Sequence, residues 1–250
     1  MTRIIACISG KGGVGKTTLV SNLGVAMSSM GKSVVVVDAN LTTPNIGIHF
    51  GMPLYPTTLH DVLKGSVPIK DAVYYHDSGV RIIPAGLSLR DLRGTDSRDL
   101  PNVLLDLLGT ADIVLLDSAA GLGKETLSSM EAADEMVLIT NPELTSVTDA
   151  LKAYKLAEQL GTRITGAVVN RVKNKPHEMR IADIKNMLED TDILARIPEC
   201  IEVQKSIARR NPVVLGFPKS PASREIRRLA GRIAGVEYKE NRPWYRFVFR

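Results

Sequence analysis

"RIIACISGKGGVGKTT", residues 3–18, is the stretch whose reading decides the fold. An apolar, β-branched run empties into a glycine-rich turn and then into a helical pattern. Gly10, Gly15, Lys16 and Thr17 satisfy G-x-x-x-x-G-K-[ST] in the strand–loop–helix frame that motif needs. Glycines let successive backbone N–H groups curl around phosphate oxygens, and the helix start adds the positive end of its dipole. Lys16 then reaches the β- and γ-phosphates, and the Thr17 hydroxyl is the Mg²⁺ ligand. A chance glycine-rich turn is the competing explanation, and four fixed positions in the right frame outweigh it. Lys11 sits inside the loop without a role in that cradle. Either it points to solvent, or it supplies charge to a phosphate held by a second subunit, as an arginine finger does in trans.

Outward from the loop, short β-branched runs alternate with helical segments. Strands are expected at Arg3–Ile8, Ser33–Asp38, Val80–Pro84, Ile113–Asp117, Met136–Thr140, Ile164–Asn170 and Ile193–Ile197. Several are apolar throughout, as strands covered on both faces must be. Helices are expected at Thr17–Met30, at Leu100–Leu108, at Ser146–Leu160 with Ser146 and Asp149 at capping-box spacing, and at Ser220–Ala234 with Ser220 as cap and Pro221 first in the helix. This alternation predicts an α/β fold, a doubly wound, mostly parallel sheet with helices on both faces. Ligands bind at the carboxyl ends of such strands, where Ser9, Asp38, Asp117, Thr140 and Asn170 fall. "VVVVDAN", residues 34–40, is notable for running four valines into Asp38 and then an uncharged Asn40.

The 250 residues, 44% hydrophobic and 24% charged, suit one large domain over residues 1–236, followed by a tail at 237–250. Cys7 and Cys200 have no paired spacing, so neither a disulfide framework nor a zinc site is indicated. With no leader-like run and no apolar stretch long enough to span a bilayer, a cytoplasmic protein is expected. Residues 201–250 hold 12 Lys+Arg against 4 Asp+Glu, so the net +5 of the chain is concentrated there and the first 200 residues are net −3.

"KGGVGKTT" with its extra lysine resembles the deviant Walker A loop of the MinD/ParA family of P-loop ATPases. The likeness runs in order through "VVVVDANLTTPNIG" (34–47), "IVLLDSAAGL" (113–122), "TNPELTSVTDA" (140–150), "VVNR" (168–171) and "IPE" (197–199), and is nearest to archaeal-type MinD members. The resemblance implies the P-loop NTPase fold, ATP or ADP with Mg²⁺, an ATP-dependent homodimer and ATP hydrolysis, which Asn40 in place of the usual carboxylate would slow. Lys11 would be the intermolecular lysine, and Gly10, Gly12, Gly13, Val14, Gly15, Lys16, Thr17 and Thr18 the cradle. Asp117 would hold Mg²⁺, usually through water, together with Thr17. Gly121 would sense the γ-phosphate, and Asn170, Arg171, Pro198 and Glu199 would border the adenine. Asp38, Lys11, Lys16 and Asn40 are the catalytic candidates. Two departures fall near the trigger for hydrolysis. Asn40 stands where the family has a second carboxylate, and Ala119 where it usually has proline. An amide can orient a water but cannot take its proton.

The end of the chain, "YKENRPWYRFVFR", holds the only Trp and two of the four Phe. As a helix, Trp244, Tyr245, Phe247 and Phe249 oppose Arg242, Arg246 and Arg250, the composition of an interfacial membrane segment. As a strand it would dock on the domain. Residues 241–250 therefore carry an expectation of peripheral contact with the inner face of the cell membrane. Arg224, Arg227, Arg228 and Arg232 recur at helical spacing and support a second reading, a DNA-partitioning ATPase. A third is a nucleotide-binding scaffold with impaired hydrolysis. The helix at 146–160, with Lys152, Lys155 and Glu158 outward, is the expected seat of a regulatory partner. A metal-cluster carrier would need clustered cysteines, and His49, His60, His76 and His177 have no ligand spacing.

Overall fold

The computed structural model describes residues 1–52 and 54–238. In chain order its elements are β1 (Arg3–Ser9), α1 (Lys16–Ser28), β2 (Val34–Ala39), α2 (Ile46–His49), α3 (Leu59–Leu63), β3 (Tyr74–Tyr75), β4 (Arg81–Ile83), α4 (Leu100–Leu104), β5 (Ile113–Ala120), α5 (Lys124–Glu131), β6 (Glu135–Thr140), α6 (Leu144–Leu160), β7 (Arg163–Val172), α7 (Ile181–Met187), β8 (Ile193–Pro198), α8 (Ile201–Ala208), α9 (Val213–Gly216) and α10 (Pro221–Ala234). The strands form one sheet in the order β3-β4-β2-β5-β1-β6-β7-β8, parallel except for the β3–β4 pair.

The four valines show why the sheet is doubly wound. All are enclosed; Val35 and Val37 join the core under α3, α4, α6 and α7, while Val34 and Val36 join the one under α1, α9 and α10. A strand buried on both faces has no need of polar alternation. Gly24 lets α1 sit close on this strand, since a Cβ there would lie 2.6 Å from Val36 Cγ2. β1 lies between β5 and β6, so the chain winds away from it in both directions and opens a crevice at its carboxyl end. The register sets Asp38 beside Asp117 and Asp117 beside Cys7, three strand ends at one level.

All seven expected strands are present; the largest difference is at β5, which runs on past Asp117 to Ala120. Tyr74–Tyr75 is an added edge strand, too short to carry a periodic signal. The capping box expected at Ser146 is not formed. α6 begins at Leu144, and the Ser146 hydroxyl pairs with that of Thr140 at 2.9 Å and accepts from the Asn141 N–H at 3.1 Å. Thr140 ends a buried strand, and its hydroxyl needs a partner more than the helix needs that cap. α4 is shorter than expected and finishes in a tighter turn, Leu105–Leu107. Ser220 does cap α10, accepting from Ser223 N–H at 3.2 Å.

Candidate functional site

The loop between β1 and α1 is held from three sides. Gly13 and Gly15 take φ of +79° and +89°, which side chains disfavour. Gly10 is pressed against α6, where a Cβ would fall 2.1 Å from the Asp149 carbonyl oxygen. From the end of β7, Asn170 Nδ2 donates to the Val14 carbonyl at 2.7 Å, and the Arg171 guanidinium donates to that of Gly13 at 3.0 Å. Arg171 itself sits at φ +57° and pairs with Glu199 at 3.4 Å. Two of the loop's carbonyls are thereby tied back toward the end of β7.

That cleft, about 440 Å³, runs from the loop to α8. Gly12, Gly13, Val14, Gly15, Lys16, Thr17 and Thr18 line it, as do Asn40, Asn170, Arg171, Pro198 and Glu199. The structure thus gathers most of the residues expected from the sequence into one wall. It adds several that the sequence did not mark: Thr43, Asn45 and His49 beyond β2, and Val203, Gln204 and Ile207 on α8. Val203 and Ile207, four apart on an amphipathic helix, were the available signal for that apolar end. Burial holds His49 below the ordinary imidazole value, with Asp117 opposing in part, so the ring is neutral at pH 7.

Behind the wall lie the carboxylates. Lys16 is buried, with its ammonium 2.6 Å from Asp117 Oδ1 and also donating to the Ser118 carbonyl. Asp117 Oδ2 is enclosed with no partner among the described residues. A free carboxylate oxygen on a strand end, together with the Thr17 hydroxyl in the cleft, is a donor set suited to a hard cation such as Mg²⁺. Asp38 is fully enclosed. Its Oδ2 accepts from the Asn45 and Ile46 N–H groups at 2.9 Å each, so it anchors the start of α2. Burial and then the Asp117 charge push Asp38 up to about 8, against the pull of those N–H groups and Lys16. Asn40 closes a turn: Nδ2 donates to the Thr43 carbonyl at 2.7 Å, while Oδ1 accepts from the Thr43 N–H and hydroxyl.

Gly121 and Lys11 stand apart from the cleft lining. Gly121, at φ +83°, donates its N–H to the Ser9 carbonyl at 3.0 Å. Lys11 leaves the loop for the head of α6, 3.5 Å from the Thr145 hydroxyl and 3.7 Å from Glu143. The two lysines of the loop are thereby sorted, Lys16 inward and Lys11 outward. Residues 241–250 lie outside the described residues. The expected arginine stripe on α10 is divided among different roles. Arg227 donates to the Pro218 and Val214 carbonyls, Arg232 to those of Ile193 and Leu194, and Arg228 pairs with Glu225.

A parallel sheet whose first strand turns through this loop into a helix, with a strand-end aspartate behind the lysine, defines a P-loop NTPase. A family model described as ParA, NUBPL iron-transfer P-loop NTPase, matches residues 1–234. An uncharacterized ATP-binding protein of Methanocaldococcus jannaschii is 41% identical over 239 residues, 96% of this chain and 90% of its own length. MinD from Pyrococcus horikoshii, complexed with Mg-ADP, superposes with a TM-score of 0.90 at 35% identity over 93% of this chain and 96% of that one. A chain of the MinC:MinD cell division protein complex of Aquifex aeolicus gives 0.82 at 30% identity over 96% of this chain and 98% of that one. The chain belongs to the ParA family of P-loop NTPases, and its fold is that of MinD.

Proposed function

We propose that this protein is an ATP-driven dimerisation switch of the MinD type, which hydrolyses ATP slowly and places a partner at a membrane surface, as in division-site selection. The observation that carries this reading is the sorting of Lys11 from Lys16. Lys11, a residue of the phosphate loop, does not line its own cleft and stands 46% exposed at the rim. A cation there serves a phosphate in trans. Leu87, Leu89, Leu122 and Leu144 are exposed on segments that follow β4, β5 and β6, apolar surface that a second copy would cover.

Asn170 is compatible with adenine as the base. One Nδ2 hydrogen is committed to the Val14 carbonyl, which fixes the amide and leaves its Oδ1 able to accept from the amino group of adenine. Bound Mg²⁺, held by Thr17 and through water by Asp117, would neutralise charge building on the phosphates. Lys16 exchanges Asp117 for phosphate oxygens when the cleft fills, and the Gly121 N–H exchanges the Ser9 carbonyl. Asn40 orients rather than deprotonates, which supports slow turnover. The decisive experiment is light scattering of the wild type and Lys11→Ala with ATP and with ADP. A dimer for the wild type in ATP alone, and a monomer for Lys11→Ala that still binds nucleotide, is expected. A Lys11→Ala dimer would overturn the reading.

A DNA partitioner is less well supported, because Arg227 spends its guanidinium on the Pro218 and Val214 carbonyls and so interrupts the α10 stripe. ATP-requiring, salt-sensitive DNA binding would restore it. An iron-cluster carrier is not favoured either, since Cys7 is enclosed within β1 and Cys200 stands at the head of α8. Among the described residues no helix is long and apolar enough to cross a membrane. Attachment from the cytoplasm is assigned to residues 241–250. Loss of ATP-dependent sedimentation with anionic liposomes on deleting them is the expected result, and unchanged binding refutes it.

A further inference from the structure

Glu125 belongs to no motif and does not line the cleft. It stands in the first turn of α5, immediately beyond the Gly121 turn, and reaches across to the segment that follows β2. There Oε2 accepts from the Leu41 N–H at 2.9 Å and the Thr42 N–H at 3.4 Å, while Oε1 accepts from the Thr42 hydroxyl. The segment so held begins at Asn40 and, through Thr43, closes on Asn40 again. Its far end is fixed by Asp38 at Asn45 and Ile46. Of these contacts, only those from Glu125 come from another part of the chain beyond β2 and its own loop. Hydrogen bonds to an ionised carboxylate are about twice as strong as neutral ones.

We propose that Glu125 is a positioning residue that couples the two strand-end segments bordering the phosphates. It makes the Asn40 loop travel with the start of α5, so that a shift at the Gly121 turn re-aims Asn40 and Thr43 in the cleft. With an amide at position 40, orientation is what that residue contributes, and Glu125 supplies the orientation from outside the cleft. This inference rests on the ATPase reading for its kinetic consequence but not for its structural one.

The test is ATP turnover by the full chain carrying Glu125→Ala, Glu125→Gln or Thr42→Val, alongside hydrogen exchange of the 40–45 segment. Alanine removes all three bonds. Glutamine keeps an oxygen for the two N–H groups and gains an N–H to donate to the Thr42 hydroxyl. Glu125→Ala is expected to lower kcat about ten-fold with KM within about two-fold, and Glu125→Gln to recover turnover to within about three-fold of wild type. Exchange at Leu41 and Thr42 should accelerate about ten-fold or more in the alanine variant and stay near wild type in the glutamine one. Thr42→Val, which deletes one bond, falls between and serves if Glu125→Ala folds poorly. A glutamine variant as impaired as alanine would mean that charge rather than positioning matters, and unchanged exchange in Glu125→Ala would mean that nothing is held; either overturns the inference. A rise in KM at constant kcat does so too. If the wild type turns over no ATP, the ATPase reading fails, while the exchange comparison still decides the coupling.

Discussion

Replacing Asn40 by aspartate restores the carboxylate that the family pattern carries, and the structure says the loop will resist it. Asn40 is 9% exposed, and its Nδ2 lies 2.7 Å from the Thr43 carbonyl oxygen. In Asn40→Asp an oxygen meets that oxygen, so one bond is lost and an acceptor is left facing negative charge. A buried hydrogen bond lost with one partner stranded costs about 2 kcal/mol, which for a chain of this length lowers Tm by about 4–8 °C. The direction with pH follows from the same contact. The introduced carboxyl can donate to Thr43 only when protonated, and the Thr43 carbonyl oxygen beside it disfavours its charge, so its folded pKa lies above the unfolded value. The deficit is therefore full above the folded pKa and shrinks as pH falls toward about 3.9. Urea denaturation of both proteins at pH 8 and pH 5, without nucleotide, measures it. Equal stability at pH 8, or a deficit that grows on acidification, would refute the assignment of Asn40 as the residue closing this turn.

Asn170→Asp cannot donate to the Val14 carbonyl and brings a negative charge to the loop, so ADP affinity measured by calorimetry should fall about ten-fold or more. His60 is fully enclosed, its Nδ1 accepts from the Gly86 N–H, and burial lowers its pKa despite Asp91. The unfolded chain takes up that proton more readily, so this contribution to stability is lost as pH drops below 6.5. His60→Asn keeps an acceptor for Gly86, and its melting temperature should depend less on pH between 7 and 5 than that of the wild type. Cys7 is enclosed and its thiol is pushed up to about 12, chiefly by burial. A thiol reagent at pH 7.5 should modify only Cys200 in the native protein, and both cysteines in urea.

The phosphate loop and the sheet were legible because their signals are local. Four residues within eight positions specify the cradle, and unbroken β-branched runs specify strands covered on both sides. The capping box at Ser146 misled because the competing partner, Thr140, lies on another element, and a cap pattern says nothing of a buried hydroxyl six residues earlier. Asn40 stands out in the sequence as a departure, but its internal turn with Thr43 does not. Asp38 reads as a catalytic carboxylate in one dimension. In three dimensions it spends its oxygens on the backbone of the following loop. Glu125 carried no signal at all, since its partners lie 83 and 84 residues away. Such contacts become visible only once the strand order brings β2 and β5 side by side.

Arg232 bears on how copies of this chain can meet. Its guanidinium lies 3.4 and 3.3 Å from the carbonyls of Ile193 and Leu194 on β8, the last strand of the sheet. An open strand edge is a template for adding another strand, and end-to-end growth of that kind answers to no ligand. Here the Arg232 guanidinium already reaches the first residues of that edge, and the opposite edge is a strand of two residues. Runaway polymerisation through the sheet is thereby discouraged at both ends.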